Sequence, residues 1–259
     1  MSLGRAVGVM TGAASSVGRV RENNQDAVGH FETPGLDDDE FAHHLFVVAD
    51  GMGGHAGGEV ASRLAIDVVH EAYFADPSDD RSAALGRALQ AANAAVHARA
   101  RAEPALANMG TTCSALVLRH EKAYVAHVGD TRIYLFRGGS TTRLTRDHSL
   151  AAAGRPEVLT RALGTSATLE VDITEPVHVA AGDAFLLCSD GLWGHVTDEE
   201  LLQAVQAGIE PEATCQTLVA LANDRGGPDN ITAQLVQICG ADAARPGLFA
   251  GLRRLLRAT

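Results

Sequence analysis

Five aspartates in this chain share a setting suited to holding hard cations. Asp50 closes Phe46-Val47-Val48-Ala49-Asp50-Gly51, Asp130 closes Ala126-His127-Val128-Gly129-Asp130, and Asp190 closes Leu186-Leu187-Cys188-Ser189-Asp190-Gly191. Asp229 sits in Gly226-Gly227-Pro228-Asp229-Asn230, just before the last apolar run, and Asp26 in Asn23-Asn24-Gln25-Asp26, at the start of the first expected strand. An apolar strand carries the chain from the interior to a rim, and the charge falls where the strand emerges. If those rims coincide, the carboxylates repel one another unless cations lie between them. An oxygen-only set without cysteine or paired histidines selects Mg²⁺ or Mn²⁺. The neighbouring glycines would let a backbone carbonyl approach a metal or its water. Asp-Gly is also an ordinary turn dipeptide, and for any single aspartate that reading stands equally well. Five on separate strands favour the metal.

The segment from Asp50 to Gly58 is rich in glycine and contains GxGxxA from Gly51 to Ala56, the spacing of a dinucleotide loop. Asp50 would set a negative charge beside a pyrophosphate, and no second strand with an acidic residue follows at the required distance. A Walker loop fails for want of Gly-Lys-Ser/Thr. His43-His44 resembles a metal pair, but adjacent strand residues point to opposite faces, so both are read as structural or exposed.

The elements that must position these residues follow from periodicity. Asp26 to Phe31 and Leu45 to Ala49 read as strands joined by a long connection, with Pro34-Gly35 as a turn and Asp37 to Glu40 as a solvated loop. Val60, Leu64, Val68 and Val69 make one helical stripe, and Leu85, Leu89, Ala92, Val96 and Ala100 another. Pro77-Ser78-Asp79 separates the two helices, and Pro104 closes the second. Strand-like runs follow at 112–118, 123–128, 133–136, 169–179 and 184–188. Thr197 with Glu200 has the form of a capping box, Pro211 suits the first turn of a further helix, and Ile231 to Ile238 is a final strand. Strands that mostly follow one another predict antiparallel sheets covered by helix pairs, and argue against a doubly wound parallel sheet.

The chain has 259 residues, 46% hydrophobic and 20% charged, enough to bury a sizeable core, and no linker-like break before about residue 240. A net charge of −11 disfavours a phosphate backbone as partner, so no nucleic acid is expected. Cys113, Cys188, Cys215 and Cys239 show no CxxC spacing, which fits a reducing compartment. With no secretory signal and no apolar run of about 18 residues, the protein is expected to be cytoplasmic and off the membrane; a monomer is expected.

Eight segments together resemble the protein phosphatase 2C family of metal-dependent phosphatases, and especially its bacterial branch. They are Arg21 to Asp26, Val48 to His55, Gly110-Thr111-Thr112, Val128 to Arg132, Leu144 to Ser149, Thr160 to Gly164, Cys188 to Leu192 and Asp229 to Thr232, in the family's order. The resemblance implies an α+β fold, an α-β-β-α sandwich with two central antiparallel sheets and a metal cleft at one edge. By position it implies that Asp50 bridges two metals, that the Gly51 carbonyl serves the first, and that Asp190 and Asp229 serve the second. Asp130 with Asp190 resembles a third-metal site. Asp26 resembles the partner that holds the activated water, and Arg21 the phosphate clamp. The implied reaction is hydrolysis of phosphoserine and phosphothreonine in proteins with Mn²⁺ or Mg²⁺, opposing a cognate serine/threonine kinase. A pseudophosphatase that only binds phosphoproteins, or a phosphatase of one small regulatory phosphoprotein, are the alternatives. Retention of the repulsive cluster speaks against the first.

Two departures from the family pattern matter. Many members carry a histidine directly after Asp-Gly that resembles a general acid; here the position is Met52, with His55 nearby, so the proton donor stays open. The stretch from Ser149 to Leu159 is shorter than the usual bacterial flap, which predicts an open site and weak discrimination among phosphopeptides. Residues 1–240 are expected to form the phosphatase domain. The remainder, 241–259, is a basic amphipathic tail (Leu248, Phe249, Leu252, Leu255 and Leu256 with Arg253, Arg254 and Arg257) that docks on the domain or on a partner or membrane surface. Lone Trp193 is read as packing.

Overall fold

The fold is that of a computed structural model, which describes residues 7–33, 43–53, 57–150 and 158–240. Strands β1 (Val7–Ser16), β2 (Asp26–Thr33) and β3 (His43–Met52) precede helices α1 (Gly57–Ala75) and α2 (Arg81–Ala102). After a 3₁₀ turn at Pro104–Leu106 come β4 (Gly110–Thr111), β5 (Cys113–Arg119), β6 (Lys122–Val128), β7 (Arg132–Arg137) and β8 (Ser140–Arg143). Four two-residue strands follow: β9 (Ser149–Leu150), β10 (Val158–Leu159), β11 (Asp172–Ile173) and β12 (Val177–His178). Then β13 (Ala184–Cys188) leads into the single turn α3 (Asp190–Trp193), helices α4 (Asp198–Gln206) and α5 (Pro211–Asp224), and β14 (Ile231–Gly240).

The described strands form two large sheets and a separate β9-β10 pair, with antiparallel pairing throughout. One runs β11-β6-β5-β3-β2, with β12 also on β6 and β4 also on β3; the other runs β1-β14-β13-β7-β8. Strand alternation sends Phe46, Val48, Leu116, Ile133, Phe185, Leu187 and Val236 into the space between the sheets. The opposite face of the first sheet, with Leu45, Val47 and Val117, packs on α1 and α2. That of the second, with Tyr134, Leu186 and Leu235, packs on α3, α4 and α5. The result is the expected α-β-β-α sandwich. Each buried Val, Leu or Phe contributes about 1.5–3 kcal/mol, so three continuous apolar layers fix how the sheets stack.

Several elements formed for the reasons the sequence suggested. Leu85, Leu89, Ala92 and Val96 are fully buried on α2. Thr197 and Glu200 make the reciprocal capping box at α4, worth about 1 kcal/mol, and Pro211 opens α5. Other expectations shift. In α1 the buried face is Ala61, Ala65, Ile66, Val69 and Tyr73, while Val60, Leu64 and Val68 lie at its partly buried margin. Small alanines let the helix sit close to the sheet, and the larger residues fill its flanks. A full strand, β1, precedes β2; its Gly8, Gly12 and alanines weaken the sequence signal, and pairing with β14 supplies the order. The run 169–179 is two short bridges, β11 and β12, separated around Pro176, which cannot donate to a ladder. Asp190 does not end a strand but opens α3. The turn at Pro34-Gly35 and the acidic run 37–40 lie outside the described residues. Among the described residues no helix is long and apolar enough to cross a membrane.

Candidate active site

Both sheets deliver acids to one rim. In the β2–β3 ladder Asp26 stands directly opposite Asp50, an arrangement that like charges disfavour. The main chain of Asp50 is held on both sides. Its N–H donates to Thr112 Oγ1 at 2.9 Å, and its carbonyl accepts from Thr111 Oγ1 and from the Thr112 N–H, each at 2.9 Å. From the second sheet, Ser189 Oγ donates to Asp26 Oδ2 at 2.7 Å and accepts from the Thr232 N–H at 2.9 Å. Ser189 therefore links the end of β13 to the start of β2 and brings Asp190, the next residue, to the same place.

Asp229 lies in the loop before β14. Its Oδ1 accepts from the Asn230 N–H at 2.8 Å, and its Oδ2 accepts from Arg21 Nη2 at 2.7 Å. Asn230 fastens the loop that carries Arg21: its Oδ1 accepts from the Gln25 N–H at 2.8 Å, and its Nδ2 donates to the carbonyls of Val17 (3.0 Å) and Asn23 (2.9 Å). Asp130 is buried between β6 and β7, and its carbonyl accepts from Trp193 Nε1 at 2.9 Å. The Arg132 guanidinium lies 3.4 Å over the Trp193 ring and is itself tied to Asp147 at 2.7 Å. Gly129 turns the chain into Asp130 at φ +112°, where a Cβ would meet the Thr112 side chain at 2.5 Å.

Crowding of acids shows in their proton affinities. Burial raises Asp50 well above its ordinary value, and the charges of Asp26, Asp190, Asp130 and Asp229 raise it further. Burial raises Asp26 to about 7; hydrogen bonds from Thr232 and Ser189 oppose the shift, while Asp190 and Asp229 add to it. Asp190 is raised by burial and by Asp229, with Asp50, the Gly191 amide and Arg21 partly offsetting both. Thus Asp50 feels the charges of the other four sequence-predicted aspartates, with Arg21 at their edge.

The arrangement fits divalent cations. Asp26 Oδ1 and Asp190 Oδ1 are buried and have no hydrogen-bond partner among the described residues. Two such oxygens on repelling carboxylates are costly unless positive charge is supplied. Gly51 and Gly58 bring the end of β3 against the start of α1: a Cβ on Gly58 would lie 2.6 Å from the Gly51 carbonyl oxygen. The donors are oxygens alone, the set suited to hard ions. Beside them a groove of about 450 Å³ is lined by Val20, Arg21, Glu22, Asn23, Gln25, Gly53 and Asn230. His55 and residues 151–157 of the short flap lie outside the described residues, while the flanking β9 and β10 pair with each other.

Comparison with known proteins decides the family. The family model for protein phosphatase 2C matches residues 15–235. The chain belongs to the protein phosphatase 2C family. Among its relatives, the serine/threonine protein phosphatase PstP of Mycobacterium tuberculosis is 37% identical over 245 residues, which cover 89% of this chain and 45% of PstP. The serine/threonine phosphatase stp of Listeria innocua is 33% identical over 239 residues, covering 85% of this chain and 92% of stp. The chain therefore spans about half the length of the mycobacterial relative it matches. The crystal structure of the PstP catalytic domain in complex with two manganese ions superposes with a TM-score of 0.77 at 36% identity, covering 90% of this chain and 100% of that one. Membership in this metal-dependent family agrees with the oxygen-only cluster and with the sandwich that builds it.

Ser189, Thr232, Asn230, Thr111 and Trp193 were not singled out from sequence as parts of the site. The first four had a signal: each is a polar residue in or beside a run that otherwise reads as buried strand. Trp193 packs, as expected, but also holds the Asp130 carbonyl.

Proposed function

We propose that this chain is a Mn²⁺- or Mg²⁺-dependent protein phosphatase that hydrolyses phosphoserine and phosphothreonine. The observation that carries the reading is the convergence of Asp26, Asp50 and Asp190, two of them with an unpartnered buried oxygen. Asp50, the Gly51 carbonyl, Asp190 and Asp229 are the proposed ligands of two ions, and Asp130 with Asp190 of a third. When bound, such ions acidify a water and neutralise phosphoryl oxygens. Asp26, fixed through Oδ2 by Ser189, presents Oδ1 to orient the attacking water. Arg21 offers a planar grip on the phosphoryl oxygens, for which the phosphate competes with Asp229. The groove beside Arg21 receives the peptide, and the short flap leaves it open, so discrimination among phosphopeptides is weak.

We further propose that the catalytic domain comprises residues 1–240, followed by the basic tail 241–259, which lies outside the described residues. The protein acts as a cytoplasmic monomer on the substrates of a cognate serine/threonine kinase, or on that kinase. The test is phosphopeptide hydrolysis by the parent and Asp190→Asn, each with Mn²⁺ and with chelator. Activity is expected only in the parent with Mn²⁺; full activity of the variant, or activity in chelator, would refute the reading.

A further inference from the structure

At the far end of the β2–β3 hairpin from the carboxylate rim, three groups of a different chemistry meet. Strand alternation puts His30 and Glu32 on one face of β2, and the ladder sets Glu32 opposite His44. In sequence His44 stands beside His43, which faces the other way; its partner is His30, across the ladder. His30 Nε2 lies 3.2 Å from His44 Nδ1, and that same Nδ1 lies 3.9 Å from Glu32 Oε2. One ligand atom from each residue lies within 4.8 Å of the other two. Ligands bound at about 2.0–2.1 Å in tetrahedral geometry stand roughly 3.4 Å apart, so small side-chain adjustments close this triangle on an ion.

The surroundings favour a metal over protons. Both imidazoles stack on Phe46, with ring centroids 4.4 Å (His30) and 5.9 Å (His44) away, which limits their rotation. Burial lowers the proton affinity of both rings, with Glu32 opposing, so each offers a lone pair at neutral pH without first losing a proton. His30 and Glu32 are exposed, which leaves a path for the ion.

We propose that His30, Glu32 and His44 form a second metal site, which takes a borderline divalent ion of the zinc class and leaves one coordination position open. Two nitrogens and one oxygen suit zinc, whereas the rim's oxygens suit Mn²⁺ or Mg²⁺. Glu32–His44 stands six residues along the ladder from Asp26–Asp50, about 20 Å along the strands, so the two sites hold different ions. Bound there, the ion clips β2 to β3 near the connection between the two strands and stabilises the folded chain.

The test titrates Zn²⁺ into the full chain in excess Mg²⁺ and counts bound ions by equilibrium dialysis. One Zn²⁺ per chain is expected at this site, with a higher melting temperature, and Co²⁺ in its place should give the visible absorption of a nitrogen-bound, four-coordinate ion. His30→Gln and His44→Gln should each weaken uptake by roughly ten-fold or more, and leave phosphopeptide hydrolysis in Mg²⁺ at the parent's rate. Should His44→Gln fail to fold, the exposed His30→Gln and Glu32→Gln carry the same test. Zn²⁺ uptake that survives these substitutions would place the ion elsewhere and overturn the proposal, as would the absence of uptake by the parent.

Discussion

Strand β13 has a buried or partly buried acid at each end, and the two live under opposite electrostatics. Asp183, just before the strand and 4% exposed, accepts from Arg137 Nε (2.8 Å) and Nη2 (2.7 Å) and from the Ala180 N–H (2.7 Å). Asp190, just after it, faces Asp50 and Asp229 and keeps one oxygen without a partner. The first is a closed unit: the chain supplies both the charge and its neutraliser. Asp147 with Arg132, and Glu200 with Arg225, follow the same pattern. At the rim, Arg21 stands against a group of mutually repelling acids. One end of the strand is balanced within the chain, and the other is the end that we propose is completed by charge from outside.

Substituting each acid should break this contrast in opposite ways, and the largest effect is on activity. Asp190→Asn should lower metal-dependent hydrolysis by on the order of 10²–10³-fold, the scale of losing one electrostatic contact to the transition state. It should at the same time raise the melting temperature of the metal-free chain, because a repelling charge is gone. Arg21→Ala comes next, with kcat/KM down roughly 10–100-fold, about one charged hydrogen bond, and little change in metal affinity. Asp183→Asn should do the reverse of Asp190→Asn: a loss of about 1–3 kcal/mol in denaturant unfolding with activity retained.

pH sharpens the same comparison. Asp26 has its proton affinity raised from 3.8 to about 7 in the folded chain, so folding favours the protonated form. Its contribution is therefore present below pH 4 and lost as pH rises towards 7, which predicts a falling melting temperature of the metal-free chain across that window. Saturating Mn²⁺ should flatten the trend by neutralising the cluster. Glu200, held down from 4.5 to about 2 mainly by Arg225, has the opposite sign: its contribution is present above pH 4.5 and lost as pH falls to 2. Because that pair is solvent-screened, Glu200→Gln should give the smallest change of all, read as a slight loss of the acid-side slope.

Much of this was legible in the sequence because it depended on local rules. Leu85 to Val96 form a helical stripe whatever they touch, and Thr197 with Glu200 caps a helix within its own first turn. The five aspartates were legible for a related reason: apolar strands must end at a rim, and their end residues are readable. What strand patterning could not give, and only the family resemblance implied, was that the rims of two sheets meet. That follows from the Ser189 bridge between Asp26 and Thr232, residues separated by most of the chain. The same limit hid the partner of His44, which is set by ladder register, and hid β1, whose glycine-rich sequence becomes a strand by pairing with β14. The exact edge of the α1 core face was also a tertiary matter, decided by how closely its alanines approach the sheet.

On the proposed reading, the rim acids are left unbalanced so that outside cations can complete them. Counting Mn²⁺ bound to the parent and to Asp50→Asn by equilibrium dialysis tests it most directly. At least two ions per parent chain are expected, with marked weakening in the variant. A parent that binds no Mn²⁺, or an Asp50→Asn chain that binds it as the parent does, would contradict the account.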